Sequence, residues 1–469
     1  MSRFIRSSLA CITFALVSSS CASIGETPAA SGLASTQVAA PGNRSKLVAG
    51  LRAAALPLTG KADDYNALLT QIGDARVVML GEATHGTQEF YRERMRITQR
   101  LVRDKGFSAV VIEGDWPDAY RVNRYIRGLS RDTNASQALS GFTRFPQWMW
   151  RNTVARDLVE SLRAHNAALP DNAPRVGFYG MDLYSLAAST DAVAQHLESV
   201  DAQQATRARE RYRGFGRFRE TPELYGLTAQ TSAAQSLERP AQQQFRELQQ
   251  LHAAQPVKAE STRREELFAA LQNARVVKNA EEYYRVSYSG AESSWNLRDR
   301  HMADTLDALL NHLSAPGKPA KIVVWAHNSH VGDARQTTMG ESGEWTVGQL
   351  MRQRHTDATF LLGFTTYSGT AMAAMEWGEQ GRVQRVRPAL PGSFAALFHD
   401  TGMEQFLLPL RGQSELVLAM GEPRLERAIG VVYLPQTERE SHYFQARMSK
   451  QFDAVIHIDT TTAVTPLPR

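Results

Sequence analysis

Cysteine is almost absent from this 469-residue chain, which has only Cys11 and Cys21. Cys11 lies in an N-terminal apolar stretch of the kind that is removed during export, so the mature chain would keep at most one thiol. An internal disulfide is therefore excluded, even in an oxidising compartment. With so few thiols, catalysis by cysteine is not expected either.

The N-terminus has the layout of a secretory signal. Arg3 and Arg6 precede an apolar run of about a dozen residues and then small residues. The run is too short to anchor the chain across a membrane. Residues 1–21 are predicted to be a signal sequence, with lipidation at Cys21 or plain cleavage nearby as the alternatives. The protein is expected to be exported and to be periplasmic or lipid-anchored in the cell envelope.

The rest of the chain divides into a short tether and a large folded region. Residues 22–45 are rich in Ala, Ser, Gly, Thr and Pro and are predicted to be a flexible tether. The 43% of hydrophobic residues in the chain suffices for a large core. Residues 46–469 are predicted to form an α/β domain.

Several familiar catalytic and binding motifs are missing. The chain has no G-x-S-x-G elbow, no H-E-x-x-H helix, no P-loop and no G-x-G-x-x-G after a strand. The net charge of +5 raises the question of nucleic acid, and arginines interleave with aromatics in "RARERYRGFGRFRE", residues 207–220. Without a nucleic-acid fold signature, this segment is interpreted as a solvated helix and loop with inward aromatics, and no nucleic-acid partner is expected.

Short apolar runs predict a sheet that is buried on both faces. They lie at 75–80, 107–113, 175–182, 321–327, 359–366, 429–434 and 452–459. A helical pattern at 87–106 separates the first two runs, which is typical of βαβ units. The stretch at about 188–316 is rich in Ala, Gln, Glu and Arg and predicts a large helical insertion. The predicted fold class is α/β, with a mostly parallel sheet built from βαβ units.

Ionisable residues follow four of these runs. Glu82 and His85 follow the first run, Glu113 ends the second, Asp182 ends the third, and "HNSH", with His327 and His330, follows the fourth. Ligands of open α/β sheets bind beyond the carboxyl ends of the strands. These residues are therefore predicted to meet in one site, with Asp182 in a supporting role.

Arg94 is a further candidate because of its position on the helix after His85. It falls on the apolar stripe formed by Phe90, Ile97 and Leu101. A buried arginine needs a partner, and Glu82 and Glu113 are the nearest candidates. Arg94 is predicted either to stabilise an acid and offer donors to a substrate oxygen, or to form a structural ion pair. A cluster of His, Glu and Arg without a nucleophilic side chain favours activation of water by a general base.

From about residue 45 to the end, the chain resembles the erythromycin esterase family. The resemblance rests on "LGEATHGTQEFYRERMRI", "VVIEGDW", "GMDLYS", "WNLRDRHMADTL", "VVWAHNSHVGD" and "FDAVIHIDTTTAVTPL". It implies His85 as the general base beside the acid Glu82. It also places the family's arginine, strand-end glutamate and paired histidines at Arg94, Glu113, His327 and His330. Within "WNLRDRHMADTL", Asn296, Arg298 and Asp299 either brace the site or serve as ordinary capping and pairing residues.

The resemblance implies hydrolysis of a small-molecule ester or lactone, such as the macrolactone of erythromycin-type macrolides. In this hypothesis His85 takes a proton from water, Glu82 or Glu113 orients the imidazole of His85, and Arg94 with His327 or His330 stabilises the oxyanion. The alternatives are an exported metal- or haem-binding protein and a metal-dependent hydrolase with another substrate. No cofactor and no metal are expected, because Arg94 would compete with a cation for the carboxylates.

Overall fold

The computed structural model describes residues 41–231, 235–255, 261–287, 294–412 and 414–468. The predicted signal with Cys21, and the tether up to residue 40, lie outside the described residues. A helix covers Pro41–Ala54, so it begins within the last five residues of the predicted tether. The helix is anchored because Leu51 packs into the core, together with the partly buried Leu47 and Val48. In the described part of the chain, no helix has both the length and the apolar character needed to cross a membrane.

Strands and helices alternate along most of the chain. The strands are β1 Leu56–Pro57, β2 Val77–Leu80, β3 Ala109–Asp115, β4 Gly177–Asp182, β5 Ile322–Trp325, β6 Thr359–Ala373, β7 Arg382–Val386, β8 Gln405–Pro409, β9 Arg424–Arg427, β10 Tyr443–Ala446 and β11 Ala454–Thr461. The helices are α1 Pro41–Ala54, α2 Asn66–Ile72, α3 Gln88–Lys105, α4 Trp116–Ile126, α5 Ala135–Ala138, α6 Thr153–Ala168, α7 Leu186–Val200, α8 Ala202–Tyr212, α9 Pro222–Thr231, α10 Glu238–Ala253, α11 Ser261–Val286, α12 Ser294–Leu313, α13 Asn328–Val331, α14 Thr338–Glu341, α15 Val347–His355, α16 Phe394–His399, α17 Glu415–Met420, α18 Glu438–Ser441 and α19 Met448–Gln451.

Nine of the strands in the described residues form one sheet. Its order is β1-β8-β11-β6-β2-β5-β3-β4, with β7 paired to the far end of β6. The strands from β11 to β4 run parallel to one another, whereas β8 and β1 form an antiparallel edge. The predicted α/β fold with a mostly parallel sheet is confirmed. A separate antiparallel pair is formed by β9 and β10.

The sheet is buried on both faces because helices cover each of them. Alternate residues of β2 enter different cores, so that Val78 packs with Phe90 of α3 on one face. On the other face, Val77 packs with Leu306 of α12. This arrangement accounts for the continuous apolar runs of the parallel strands, since neither face can be polar.

The helices from α7 to α12 lie between β4 and β5, in the stretch where the sequence predicts inserted helices. They have an apolar core of their own, which includes Tyr225, Leu248 and Val277. In the arginine-rich segment 207–220, the rings of Tyr212 and Phe215 are buried in this core. The aromatics of the segment therefore pack inward.

The apolar run at 429–434 was predicted to be a strand, and this prediction was wrong. The segment makes only isolated bridges, between Ile429 and Thr84 and between Val432 and Ala374. Its hydrophobic residues serve a different purpose, because Ile429 is buried against the loop after β2 while Val431 and Val432 line a cleft. An apolar run that forms a cleft wall has the same composition as a strand of the core.

Candidate active site

The polar residues that follow the parallel strands converge at one edge of the sheet. Strands β2, β5, β3 and β4 are neighbours in that order, so their carboxyl ends lie side by side. A cleft of about 620 Å³ opens above them. Its lining includes His85, Glu113, Asp182, His327 and His330. The structure therefore brings together the strand-end residues, as the sequence predicts.

Two glycines shape the loop "GEATHG" after β2. A Cβ atom on Gly81 would lie 2.2 Å from Asn328 Oδ1, and one on Gly86 would lie 1.9 Å from the carbonyl oxygen of Met372. Neither position has room for a side chain, so both glycines permit a close approach of neighbouring chain segments. The loop that carries His85 is therefore packed tightly on both sides.

The segment that follows β11 also holds this loop in place. The amide of Val464 donates to the carbonyl oxygen of Gly86 at 2.9 Å, and the amide of Gln88 donates to the carbonyl oxygen of Thr462 at 2.8 Å. The side chain of Glu89 accepts hydrogen bonds from both the amide and the hydroxyl of Thr462. These contacts fix the start of α3 and, with it, the backbone beside His85.

Glu82 pairs with both His85 and Arg94. Its Oε1 lies 2.9 Å from His85 Nδ1, and its Oε2 accepts a hydrogen bond from Arg94 Nη2 at 2.6 Å. A carboxylate only accepts hydrogen bonds, so Nδ1 of the imidazole must carry the proton. In the neutral ring, the other nitrogen, Nε2, has a free lone pair, which is what a general base requires.

Arg94 lies behind Glu82 and does not line the cleft. Its side chain is fully buried, and its guanidinium group lies over the rings of Tyr91 and Trp325, at 4.4 and 4.6 Å from their centroids. The structure thus places Arg94 in an ion pair with Glu82 and not at the cleft, where it would have to lie to offer donors to a substrate oxygen. Through Glu82, Arg94 also holds the ring of His85.

His327 lies beside His85, with the two ring centroids 4.7 Å apart. The amide of Ser329 donates to His327 Nδ1 at 3.2 Å, so in the neutral ring the proton is on Nε2. Burial, together with the nearby His85, holds the pKa of His327 well below its usual value and keeps the ring neutral. Its Nε2 makes no hydrogen bond of good geometry in the described residues, although the side chain is buried, and the backbone of Ala83 lies near enough to offset part of the fall in its pKa. His327 therefore presents an N–H donor beside His85 that no described residue engages with good geometry.

His330 differs from His327 because both of its ring nitrogens are engaged. Nδ1 lies 2.9 Å from the carboxylate of Asp299, and Nε2 lies 2.8 Å from Nη1 of Arg298. The ring also stacks on Trp295, at 4.3 Å between centroids and 9° between planes. Since the guanidinium group can only donate, Nε2 of His330 accepts. His330 is thus held on three sides and cannot take a proton from water without losing Arg298.

Arg298, unlike Arg94, lines the cleft. Its Nη2 donates to Glu113 at 2.7 Å, and Nη2 and Nε donate to Asp182 at 2.7 and 3.0 Å. Burial alone would raise the pKa of Glu113, but its electrostatic interactions with His330 and Arg298 outweigh burial and hold this pKa below its usual value. The second oxygen of Glu113 accepts from the amide of His327 at 2.8 Å. Glu113 therefore fixes the backbone of His327 and makes no hydrogen bond to His85.

The residues of "WNLRDRHMADTL" play unequal parts. Arg298 and Asp299 hold Glu113 and His330, as described above, and thus brace the site. Asn296 instead supports the backbone at 343–345, because it accepts from the amide of Trp345 and donates to the carbonyl oxygen of Gly343. The sequence motif indicates that these residues matter, but it does not show that Arg298 and Asp299 brace the site whereas Asn296 supports the backbone at 343–345.

The histidines and carboxylates do not form a metal-binding group. Among the residues that the structure describes, no three His, Cys, Asp or Glu side chains are placed to hold a metal ion. Arg298 explains the arrangement, because its guanidinium group occupies the space between Glu113, Asp182 and His330. It neutralises the carboxylates that would otherwise serve as ligands.

Glu426 is a buried acid behind the site. It accepts a hydrogen bond from Asn328, the residue between the two histidines, and its Oε2 has no partner in the described residues. Burial raises its pKa to about 8, with Gln451 and Asn328 offsetting part of the effect.

A raised pKa means that the folded protein binds a proton at Glu426 that the unfolded chain has already lost. Stability from this group is therefore full below the unfolded pKa of about 4.3 and declines as the pH rises towards 8. We expect Glu426→Gln to be more stable than the parent at pH 9, by roughly 1 to 3 kcal/mol, with little gain at pH 4. Urea unfolding at both values measures this, and an equal change at the two would contradict the prediction.

Fold and site together define an α/β enzyme whose cleft is built on carboxylate–histidine pairs at the ends of parallel strands. Residues 102–461 match the erythromycin esterase family, and the chain belongs to this family. An erythromycin esterase type II from Escherichia coli is 24% identical over 324 residues, which cover 66% of this chain and 74% of that protein. An erythromycin esterase type I from Escherichia coli is 20% identical over 413 residues, with 84% and 93% covered.

A solved structure shows the same fold. The structure of an erythromycin esterase mutant in its open conformation matches with a TM-score of 0.62 and 16% identity, over 86% of this chain and 94% of the other. Family membership supports a hydrolase of the esterase type. The family match begins after Glu82, His85 and Arg94, so the roles of these residues rest on the geometry described above.

Proposed function

We propose that the protein hydrolyses a carboxylic ester or lactone, with His85 as the general base and no bound cofactor. The observation that supports this most directly is the complementary state of two adjacent imidazoles. His85 offers a lone pair at Nε2, whereas His327 offers an N–H at Nε2. Ester hydrolysis needs both groups at once, one to take a proton from water and one to stabilise the oxyanion.

The reaction can be followed through these two side chains. His85 removes a proton from a water molecule as the water oxygen attacks the ester carbonyl carbon. The carbonyl oxygen becomes an oxyanion, which accepts the hydrogen bond from His327 Nε2. His85, now protonated and stabilised by Glu82, returns its proton to the departing alkoxide as the C–O bond breaks. The products are a carboxylic acid and an alcohol, which remain in one molecule if the substrate is a lactone.

The other polar residues act by positioning. Arg94 holds Glu82, and Glu82 holds the ring of His85. Glu113 holds the backbone of His327, and Arg298 connects Glu113 to His330. Of the two acids that could orient His85, Glu82 is the one in contact with it.

The walls of the cleft suit a bulky substrate with apolar faces. They are lined by aromatic and aliphatic residues, namely Phe142, Phe145, Met149, Trp150, Trp295, Met339, Trp377, Val431, Val432 and Phe444. A volume of about 620 Å³ is in the range of sites that enclose drug-sized ligands. Together with the names of the relatives, this supports a macrolide lactone as the first substrate to test.

The test is incubation of the purified protein with erythromycin, followed by mass spectrometry for addition of one water. We expect the hydrated product with the parent protein and none above background with His85→Ala. Absence of product with erythromycin and with other bulky esters and lactones would refute the proposal.

The same assay after dialysis against a chelator is expected to give a rate within about twofold of the untreated protein. A loss of activity that zinc or manganese restores would contradict a cofactor-free mechanism.

A further inference from the structure

Asn328, which lies between the two histidines of "HNSH", ties this turn to two neighbouring parts of the sheet. Its amide donates to the carbonyl oxygen of Glu82 at 2.8 Å. Its side chain exchanges two hydrogen bonds with the backbone of Phe364, at 2.7 Å to the carbonyl oxygen and 3.2 Å from the amide. Asn328 therefore fixes the turn to the loop after β2 and to strand β6.

The same side chain also contacts Glu426 on β9, the buried acid behind the site. Asn328 Nδ2 donates to Glu426 Oε1 at 3.4 Å, which is longer than its bond to Phe364. Gln451 also forms a side-chain hydrogen bond with Glu426, and the cross-strand neighbour on β10 is Phe444. These neighbours are all neutral, and in the described part of the chain no charged side chain contributes to the shift of the Glu426 pKa.

Two arginines share strand β9 with Glu426, and neither pairs with it. Arg427 donates to another acid and to backbone carbonyl oxygens. The charged neighbours of Arg424 are Arg44 and Glu422. The ionised form of Glu426 would therefore be a buried carboxylate without a cation, which is costly.

The acid form of Glu426 suits these surroundings better. Glu426 Oε2 and Gln451 Oε1 are buried acceptors that have no donor among the described residues. A proton on Glu426 turns one of its oxygens into a donor and removes the buried charge. Without that proton, the carboxylate would attract Asn328 Nδ2 more strongly, because hydrogen bonds to ions are shorter and stronger. Asn328 would then be drawn away from Phe364.

A displacement of Asn328 would reach the chemistry through the turn that it holds. His327, the preceding residue, has its ring centroid 4.7 Å from that of His85. The two imidazoles must act on the same ester group, and a misplacement of about 1 Å can cost about 10²-fold in rate. The contacts of Asn328 are therefore suited to transmit the state of Glu426 to the site.

We propose that Glu426 is a positioning residue whose proton keeps "HNSH" in its working arrangement, so that ionisation of this acid at alkaline pH disables the site through Asn328. This inference rests on the proposed function, and it adds a pH dependence that a general base does not itself produce. A general base alone gives a rate that rises with pH and then stays constant.

The test is the pH dependence of kcat with 4-nitrophenyl butanoate, which does not titrate in this range, after subtraction of spontaneous hydrolysis. The raised pKa of Glu426, about 8, means that the proton is bound at lower pH and is lost as the pH rises through this value. We expect kcat of the parent to fall at least about tenfold from pH 7.5 to pH 9.5. In Glu426→Gln, which has the same shape and cannot ionise, the ratio of the two kcat values should stay near one.

The matched control is Glu422→Gln, which removes the same charge from an exposed residue four positions earlier that does not line the cleft. It is expected to keep the alkaline fall of the parent. Asp118, which lines the cleft, also titrates near this range, since burial and then Asp115 raise its pKa to about 7. A fall that persists in Glu426→Gln would belong to such a group and would overturn the proposal, as would a parent without any fall.

Hydrogen exchange separates this proposal from the proposed function, because it does not require turnover. The amides of Asn328 and Phe364 donate within the contacts described above, so their protection reports on the hold that Asn328 has. Corrected for the intrinsic rate, this protection should fall at least about tenfold from pH 7.5 to pH 9.5 in the parent but not in Glu426→Gln, with the amides of β3 as reference.

The exchange result without hydrolysis of any ester would support positioning by Glu426 and refute the proposed function. Unchanged protection of both amides in the parent would overturn positioning by Glu426, whatever the protein hydrolyses.

Discussion

Replacement of His85 by Ala is expected to lower kcat by about 10²-fold to 10⁴-fold, which is the usual contribution of a positioned general base. Among the described residues that line the cleft, the neutral imidazole of His85 is the only group with both a free lone pair and a carboxylate partner. Water would attack without a proton acceptor in the variant. The loss is measured by steady-state kinetics on whichever ester the parent hydrolyses.

The fold should survive this substitution, because His85 lies on a loop whose backbone is held by other segments. Circular dichroism and the urea midpoint of the variant are expected to match the parent. His165→Ala serves as the matched control, since this histidine lies on α6 and does not line the cleft. A folded His85→Ala protein with near-normal turnover would mean that another group removes the proton.

Replacement of Arg94 by Met is expected to reduce the free energy of unfolding by about 3–5 kcal/mol. The substitution leaves Glu82, which is 1% exposed, as a buried carboxylate without its cation. It also removes the guanidinium group from its place over the rings of Tyr91 and Trp325. Activity should fall as well, because Glu82 would no longer be fixed against His85. Urea unfolding and the kinetic assay measure the two effects separately.

A double substitution tests whether the unpaired charge of Glu82 causes the loss of stability in Arg94→Met. If the cost comes from the unpaired charge, then adding Glu82→Gln should restore much of the stability but not the activity. Arg103→Met is the control on the same helix, because its partner Asp104 is solvated and the pair should be worth less than about 1 kcal/mol. A cost below about 1 kcal/mol for Arg94→Met would show that the ion pair does not hold the site together.

Much of this architecture follows from patterns that the sequence displays. Continuous apolar runs predict strands that are buried on both faces, and parallel strands place their following residues at one edge. That reasoning is enough to predict the meeting of Glu82, His85, Glu113, His327 and His330. It works because each of these residues comes directly after, or at the end of, a run whose hydrophobicity fixes its place.

The direction in which a side chain points is harder to predict than which residues come close together. The helical stripe places Arg94 in the interior correctly, but periodicity does not say whether its guanidinium group faces a substrate or the back of Glu82. Arg298 is distant in sequence from any strand end, because it lies in the first turns of α12. The rule that ligands bind beyond strand ends therefore does not single it out, although it contacts strand-end residues in space. The segment 429–434 was misassigned because a cleft wall and a core strand need the same residue types.

The contacts between the His85 loop and the segment after β11 have a consequence for the order of folding. The hydrogen bond from the amide of Thr462 to Glu89 joins positions that are 373 residues apart. Contacts of such long range form late, since the entropy of closing the loop between them must be overcome first. During synthesis, residues near His85 leave the ribosome long before their partners do. The nascent chain can thus build local helices early, but the loop that carries His85 is not held by residues 462–464 until these have emerged and docked.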